Sequence, residues 1–284
     1  MAVPQLPNEI ILMMASRDMR MHHYIWHTVR NNWLRLSSSA QQSLRNLGWE
    51  PPRPALNQNR TPILNNASGE DFLFMHRQMI AFVNKELERI GQPDYLKIEG
   101  WTNVPAPGDQ DYPVPPAWNS DLNQVKSDSY YSTVLLPLEN QFKDPDQLRN
   151  MSLGEMGARI EFTIHNNLHM RFASNPGQQR PSVAAENPEA IDSRWDNPQY
   201  DYLGDTYSSH VNPIFWKLHG WVDNRIEDWK NANEVLDIQW IGTWEGPTHH
   251  HHFADSQDHL NRAVSVLGEN DLLPEFPTGE PTLR

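Results

Sequence analysis

Six histidines in this sequence recur in a pattern suited to holding metal. His23 and His27 stand four apart in MHHYIWHTVR, and His165 and His169 stand four apart in IEFTIHNNLHM. Each pair is followed by a single histidine on the next apolar stretch, His76 in FLFMHRQMIAF and His219 in NPIFWKLHGWVD. On a helix, residues four apart share a face with Cβ atoms roughly 5–6 Å apart, so both imidazoles of a pair can reach one ion. Taken singly, a histidine on an apolar face is an ordinary core residue, and one such pair is a weak signal. The same order occurring twice is more specific. Six imidazoles on the inner sides of helices leave many polar nitrogens to satisfy unless they share a ligand. Imidazole suits copper, zinc, iron and nickel. The lack of Glu-x-x-His motifs argues against a carboxylate-rich iron pair. Two facing sets of three nitrogens favour two coupled copper ions over a single zinc site. Cysteine is absent, which excludes thiolate ligands, disulfides and cysteine nucleophiles.

Four segments must position these rings. Residues 8–46 read as helical, with Ile10, Ile11, Met14, Met21, Ile25, Val29 and Leu34 at three- and four-residue spacing. Residues 69–91 give a second helix, with Ser68 as candidate cap and Phe72, Met75, Met79, Phe82, Val83 and Leu87 as its apolar stripe. Residues 152–173 give a third, with Met156, Ile160, Ile164, Leu168 and Phe172 four apart, and residues 211–231 a fourth, with Pro213 in its first turn. The proline-rich stretch 101–118 and the Pro, Asn, Gln and Ser-rich stretch 174–200 read as long irregular loops. LDIQWIGTW, residues 236–244, suggests a short strand, and the last twenty residues read as extended. The expected fold is mainly α, a single domain over residues 1–284. It is a four-helix bundle holding a dinuclear copper site with long irregular loops, its core at about residues 8–231. Residues 232–284 form a C-terminal extension.

The bulk composition narrows the function classes. A chain of 284 residues with 38% hydrophobic content can build one substantial core. Its net charge of −13 repels phosphate backbones and anionic lipid surfaces, so neither nucleic acid nor membrane is an expected partner. No apolar run is long enough for a membrane span. The N-terminal stretch lacks the basic-then-apolar pattern of a secretory signal, which leaves a cytoplasmic location as the expectation. Of the remaining histidines, His22 faces away from His23, His210 is placed to cap or orient the fourth helix, and the run at 249–252 reads as a solvated loop.

The combination resembles the type 3 copper proteins, the family of tyrosinases, catechol oxidases and haemocyanins, over about residues 20–90 and 150–230. HHYIWH followed by FLFMHRQMI resembles the first copper site of arthropod haemocyanins and phenoloxidases. HNNLH followed by NPIFWKLHGWVDN resembles the second, including the Pro-x-Phe turn and the Val-Asp after the last ligand. GWEPPRP and GEDFLFMHRQMI are also similar to a bacterial tyrosinase. The resemblance implies one copper on His23, His27 and His76 and another on His165, His169 and His219. It implies an oxidoreductase that uses O2 to hydroxylate monophenols, to oxidise o-diphenols to o-quinones, or both. It further implies that Glu161, one turn before His165, and Asn166, just after it, hold a water that takes the phenol proton. Asp223 is a candidate to orient an imidazole, with Arg225 or Lys230 as its other possible partners. Phe215 and Trp216 are read as core. In some relatives a tail covers the copper site, so the resemblance also implies that residues 232–284 could cover it, with Phe253 or Phe276 as a plug. The implied partners are O2 and a phenolic small molecule or tyrosyl-containing substrate. Two alternatives carry the same ligands, an o-aminophenol or tyrosyl-peptide oxidase and a haemocyanin-like O2 carrier. The chain departs from the family at Asn212, where Asp is usual, at Leu218 before the last ligand, and in lacking the cysteine of a thioether crosslink.

Overall fold

Serines interrupt the first expected helix and divide it into three. The computed structural model describes residues 6–91, 97–180, 191–247 and 253–268. Within it α1 spans Asn8–Met14, α2 spans Arg17–Asn32, and α3 spans Ser38–Asn46 after a 3-10 turn at Trp33–Arg35. The expectation of one helix over 8–46 is corrected accordingly. Ser16 is extended, with φ −59° and ψ 144°, and Arg20 donates Nε–H to the Ala15 carbonyl at that bend. Ser37 accepts the Ala40 amide and so starts α3 anew. Serine side chains offer the backbone this alternative to continuing a helix.

The 23-residue α4 spans Ser68–Ile90. Ser68 is not its cap: Asn66 Oδ1 accepts the Ser68 amide at 3.0 Å, while the Ser68 hydroxyl turns back to the Ile63 carbonyl. Gly91 ends the helix at φ 64°, a conformation glycine adopts without penalty. The third long helix, α5, runs through Leu153–Ile160, a π-helical turn at Glu161–His165, and Asn166–Phe172. On a pure α-helix, positions strictly four apart drift by about 40° per step, and the wider turn with i→i+5 bonding takes up part of that drift. Met156, Ile160, Ile164, Leu168 and Phe172 are all buried, in a helix that from Thr163 to Phe172 is covered on every side. The fourth, α6, spans Pro213–Ala232. Asn212 Oδ1 accepts the Ile214 amide at 2.9 Å, so the substitution of Asn for Asp keeps the capping oxygen.

The described residues contain no β-strand, only an isolated bridge between Leu56 and Pro62. Residues 236–244 are irregular, correcting the expected strand. Their amides have no strand edge to pair with and go instead to carboxylates at the start of α4. Ile241 and Gly242 donate to Glu70 Oε2, and Trp244 donates to Asp71 Oδ1. A final helix, α7, spans Phe253–Gly268 and packs on α2 and α3. The last twenty residues, expected as extended, thus begin inside α7. The histidine run at 249–252, Phe276 and the side chain of Phe253 lie outside the described residues. No described helix is long and apolar enough to cross a membrane.

One glycine contact fixes how α4 and α5 meet, and a second seats the irregular segment at Gly100 on α6. A Cβ on Gly69 of α4 would lie 2.1 Å from the Ala158 amide nitrogen and the Gly154 carbonyl of α5. A Cβ on Gly100 would lie 2.1 Å from the Gly220 backbone of α6. Only glycine lets these backbones touch.

Candidate metal centre

The structure brings all six predicted histidines together as two triads. His23 and His27 of α2 join His76 of α4, and His165 and His169 of α5 join His219 of α6. Within each triad the ligand atoms lie within 4.8 Å of one another. The rings are 0–3% exposed. The triads adjoin: His76 stacks on His219 with ring centroids 4.4 Å apart and planes at 19°. Two buried triads side by side can hold two metal ions.

Hydrogen bonds fix which nitrogen each ring presents. Carbonyl oxygens can only accept, so an Nδ1 facing one carries the proton. His23 donates to Thr206 O at 2.5 Å, His76 to Phe72 O at 2.9 Å, His169 to Leu203 O at 2.8 Å and His219 to Phe215 O at 2.9 Å. His165 shares its Nδ1 proton between Asn166 Oδ1 at 3.1 Å and Glu161 O at 3.3 Å. In these five neutral rings Nε2 is then a lone pair aimed inward. The metal fit can be tested on those atoms. His23 Nε2 and His76 Nε2 are buried with no hydrogen-bond partner, an arrangement that costs free energy unless a cation satisfies them. His165 Nε2 stands 3.0 Å from His219 Nε2 and 3.1 Å from His169 Nε2. Lone pairs this close repel. Around an ion with bonds of about 2.0–2.1 Å, such as zinc to histidine, nitrogens are separated by distances of this order. The residues present therefore fit a metal ion in each triad.

Burial is the leading cause that pushes all six imidazoles below their ordinary range, and neighbouring imidazoles add to it for all but His165. His23 and His165 are each pushed down to about 4. The neutral, metal-binding form is thus the resting form at neutral pH. The sign for stability follows from linkage. These rings take up protons when unfolded at about 6.5 but resist them when folded, so acid favours the unfolded chain. For each of these two rings the loss develops between pH 6.5 and about 4 and amounts to roughly 3 kcal/mol. The metal-free protein is expected to lose urea resistance as soon as pH drops below 6.5, before ordinary carboxylates titrate. A flat stability profile between pH 6.5 and 5 contradicts this.

One buried ion pair ties three of the ligand-bearing helices together. Arg30 of α2, fully buried, donates to both carboxylate oxygens of Glu161 in α5 at 2.7 and 3.1 Å and to the Ser68 carbonyl of α4 at 2.8 Å. Glu161 is therefore neither an exposed helix carboxylate nor an isolated one. Burial raises its carboxyl above the ordinary range against the pull of Arg30. Asn166 faces His165 through Oδ1, so the side chain expected to hold a water is engaged with a triad ring. Asp223 orients no imidazole: it pairs with Arg77 at 2.6 Å, and Arg225 pairs with Asp228 instead. Phe215 and Trp216 are buried, as expected of core residues, but Phe215 stacks on His219 at 3.7 Å and contacts His23, His76 and His169. It is the aromatic wall shared by both triads.

A strap over residues 191–211 supplies further positioning that the sequence did not reveal. Leu203 and Thr206, three residues apart, give the carbonyls that hold one ring of each triad. Asp205 between them accepts from Arg180 at 2.9 and 3.0 Å and from Tyr200. Carbonyl acceptors leave no mark on residue type, so no sequence signal reports them. His22 stays outside the triads and faces Glu245 O at 2.7 Å. The extension reaches the outer face of α2, where Trp244 stacks on Trp26 at 6.1 Å and Trp26 meets His27 edge-on at 4.8 Å.

Comparison of the chain with models of known protein families and with curated proteins returned no match.

Proposed function

We propose that the chain is a type 3 copper oxidoreductase that oxidises phenols with O2, its α2, α4, α5 and α6 acting as a four-helix bundle around two copper ions. The observation that carries this reading is the pair of adjoining all-nitrogen triads whose inward Nε2 atoms include two with no hydrogen-bond partner. Neutral imidazoles without a carboxylate among them suit copper better than a di-iron centre. Bound there, two copper ions would relay to one O2 the four electrons taken from two catechols, giving two o-quinones and two waters.

The protein's own groups do the rest. The carbonyls of Thr206, Phe72, Leu203 and Phe215 hold four imidazoles in one tautomer. Phe215 and the burial of every ring exclude bulk water. Glu161 keeps a second lone pair on each oxygen beyond those taken by Arg30, and with Asn166 it is the proposed holder of a water that accepts the phenol proton. For that role the test is Glu161→Gln assayed on a monophenol and a catechol. Monophenol turnover should fall more than catechol turnover, and undiminished monophenol turnover with copper content intact sinks it.

The reading as a whole is tested by loading purified protein with copper, removing excess by dialysis and counting the metal retained. Two ions per chain and quinone colour from catechol in air are expected. Fewer than two ions, or no catechol consumed, overturns it. The near-complete burial of the six rings favours one second reading, an O2 carrier, because a diatomic ligand needs less access than a ring substrate. Reversible O2 uptake without quinone formation would mark that outcome. A substrate panel with o-aminophenols and tyrosyl peptides separates the remaining oxidase readings.

A further inference from the structure

A seventh buried imidazole sits behind the first triad, and the proposed function does not use it. His210 lies in the 3-10 turn Ser209–Val211 ahead of α6 and is fully buried. It does not cap α6, since Asn212 does that. Its Nε2 faces the Met14 carbonyl at 3.0 Å, and its Nδ1 faces His23 Nδ1 at 3.2 Å. The ring meets that of His23 edge-on, with centroids 4.8 Å apart.

Only one proton arrangement satisfies this set. Met14 O accepts and cannot donate, so His210 carries its proton on Nε2. A neutral imidazole then has a lone pair on Nδ1. Thr206 O likewise only accepts, so His23 carries its proton on Nδ1. That proton points at two acceptors together, Thr206 O and His210 Nδ1. The opposite tautomer of His210 would set two N–H groups against each other across 3.2 Å and leave the Met14 carbonyl facing a lone pair. The chain of bonds therefore runs from Met14 O through both rings to His23 Nε2, the buried atom with no hydrogen-bond partner.

We propose that His210 is a positioning residue for the first metal site: it shares the His23 Nδ1 proton with Thr206 O, reinforces that ring's tautomer and holds its orientation, and so keeps Nε2 as the ligand atom. Among the described residues, the Nδ1 acceptors in the second triad are oxygens, Leu203 O, Phe215 O and Asn166 Oδ1. The dependence is thus specific to one of the two sites. The metal-affinity part rests on the proposed metal reading, whereas the tautomer part does not.

The test has two arms. In metal-free, 15N-histidine-labelled protein, long-range 1H–15N spectra should report His23 as the Nδ1–H tautomer and His210 as the Nε2–H tautomer. The reverse tautomer at either ring overturns the proposal, whatever the protein binds, and needs no variant that might fail to fold. In the second arm, His210→Phe keeps an aromatic ring and removes the acceptor, while His210→Gln keeps an acceptor oxygen. The Phe variant should weaken copper retention at the first site by roughly 10–100-fold, the usual effect of losing a partner behind a metal-bound histidine, and leave the second site unchanged. The Gln variant should recover most of that loss. Equal weakening of both sites, or no difference between the Phe and Gln variants, overturns the role. If the tautomers are as stated but wild-type protein retains no copper, the failure lies with the metal reading and not with the hydrogen-bond chain.

Discussion

Replacing His76 by leucine is expected to stabilise the metal-free protein and at the same time reduce its copper capacity from two ions to one. The two effects share one cause. His76 Nε2 is buried without a partner, and an unsatisfied buried polar atom costs about 1–3 kcal/mol. Its Nδ1 bonds only the Phe72 carbonyl one turn earlier, which also serves the helix. Leucine removes the orphaned atom and keeps apolar contact with Phe72 and His219, whose rings lie 4.7 and 4.4 Å away. A gain of about 1–2 kcal/mol in urea unfolding of the metal-free variant follows, opposite in sign to the usual core substitution. Loss of the third nitrogen should empty the first site on dialysis, since even partners behind a ligand are worth about 10–100-fold in affinity. His219→Leu should do the same at the second site, where it relieves two lone pairs 3.0 Å apart. A variant less stable than the parent and still binding two ions would show His76 to be a packing residue.

Arg30→Met is expected to cause the largest loss of stability of any single change at the centre. It strands the Glu161 carboxylate, which is 2% exposed. Breaking one partner of a buried ion pair costs about 3–5 kcal/mol, or on the order of 10 °C in melting temperature for a chain of this size. The Ser68 carbonyl at the head of α4 loses its donor too. Because Glu161 opens the π turn that ends at His165, occupancy of the second site should fall with stability. Arg30→Met combined with Glu161→Leu removes both charges and should recover most of the stability. A single variant within about 1 kcal/mol of the parent in urea unfolding would show that Glu161 is not held by this pair.

How much of this was legible in the sequence varied with the physics. The six triad histidines were legible because helical spacing converts directly into a shared face: His23 with His27, and His165 with His169, needed nothing beyond the 3.6-residue period. His76 and His219 needed the apolar stripes of their helices to point inward; on α4 this holds for Phe72, Met75, Val83 and Leu87 but not for Phe82, which is exposed. The break at Ser16 was not legible, because a serine in a helical pattern is ambiguous until Arg20 is seen binding the Ala15 carbonyl. Residues 236–244 read as a strand from their β-branched and aromatic content, yet their amides go to Glu70 and Asp71, far away in the chain. The π turn was not legible: five apolar residues four apart also fit a helix covered on every side, as this one is from Thr163 to Phe172. Arg30 was passed over because an arginine in an amphipathic pattern normally faces water, and its partner lies 131 residues away. His210 was legible only as a neighbour of α6, since its acceptor role depends on the Met14 carbonyl of α1.

The glycine contacts bear on how stiff the centre is. Where Gly69 rests on α5 and Gly100 rests on α6, main chain meets main chain with no side chain as a spacer. Rotamers can hop and methyl groups can shift, but peptide planes in hydrogen-bonded helices do neither. Of the two, the Gly69 contact joins the helix that carries His76 to the helix that carries His165 and His169, so the gap between the triads acts as a fixed gauge, whereas Gly100 lies in an irregular segment and only seats it on α6. Any ligand that bridges the two sites must fit that gauge, because the protein has little compliance there with which to meet a longer or shorter one.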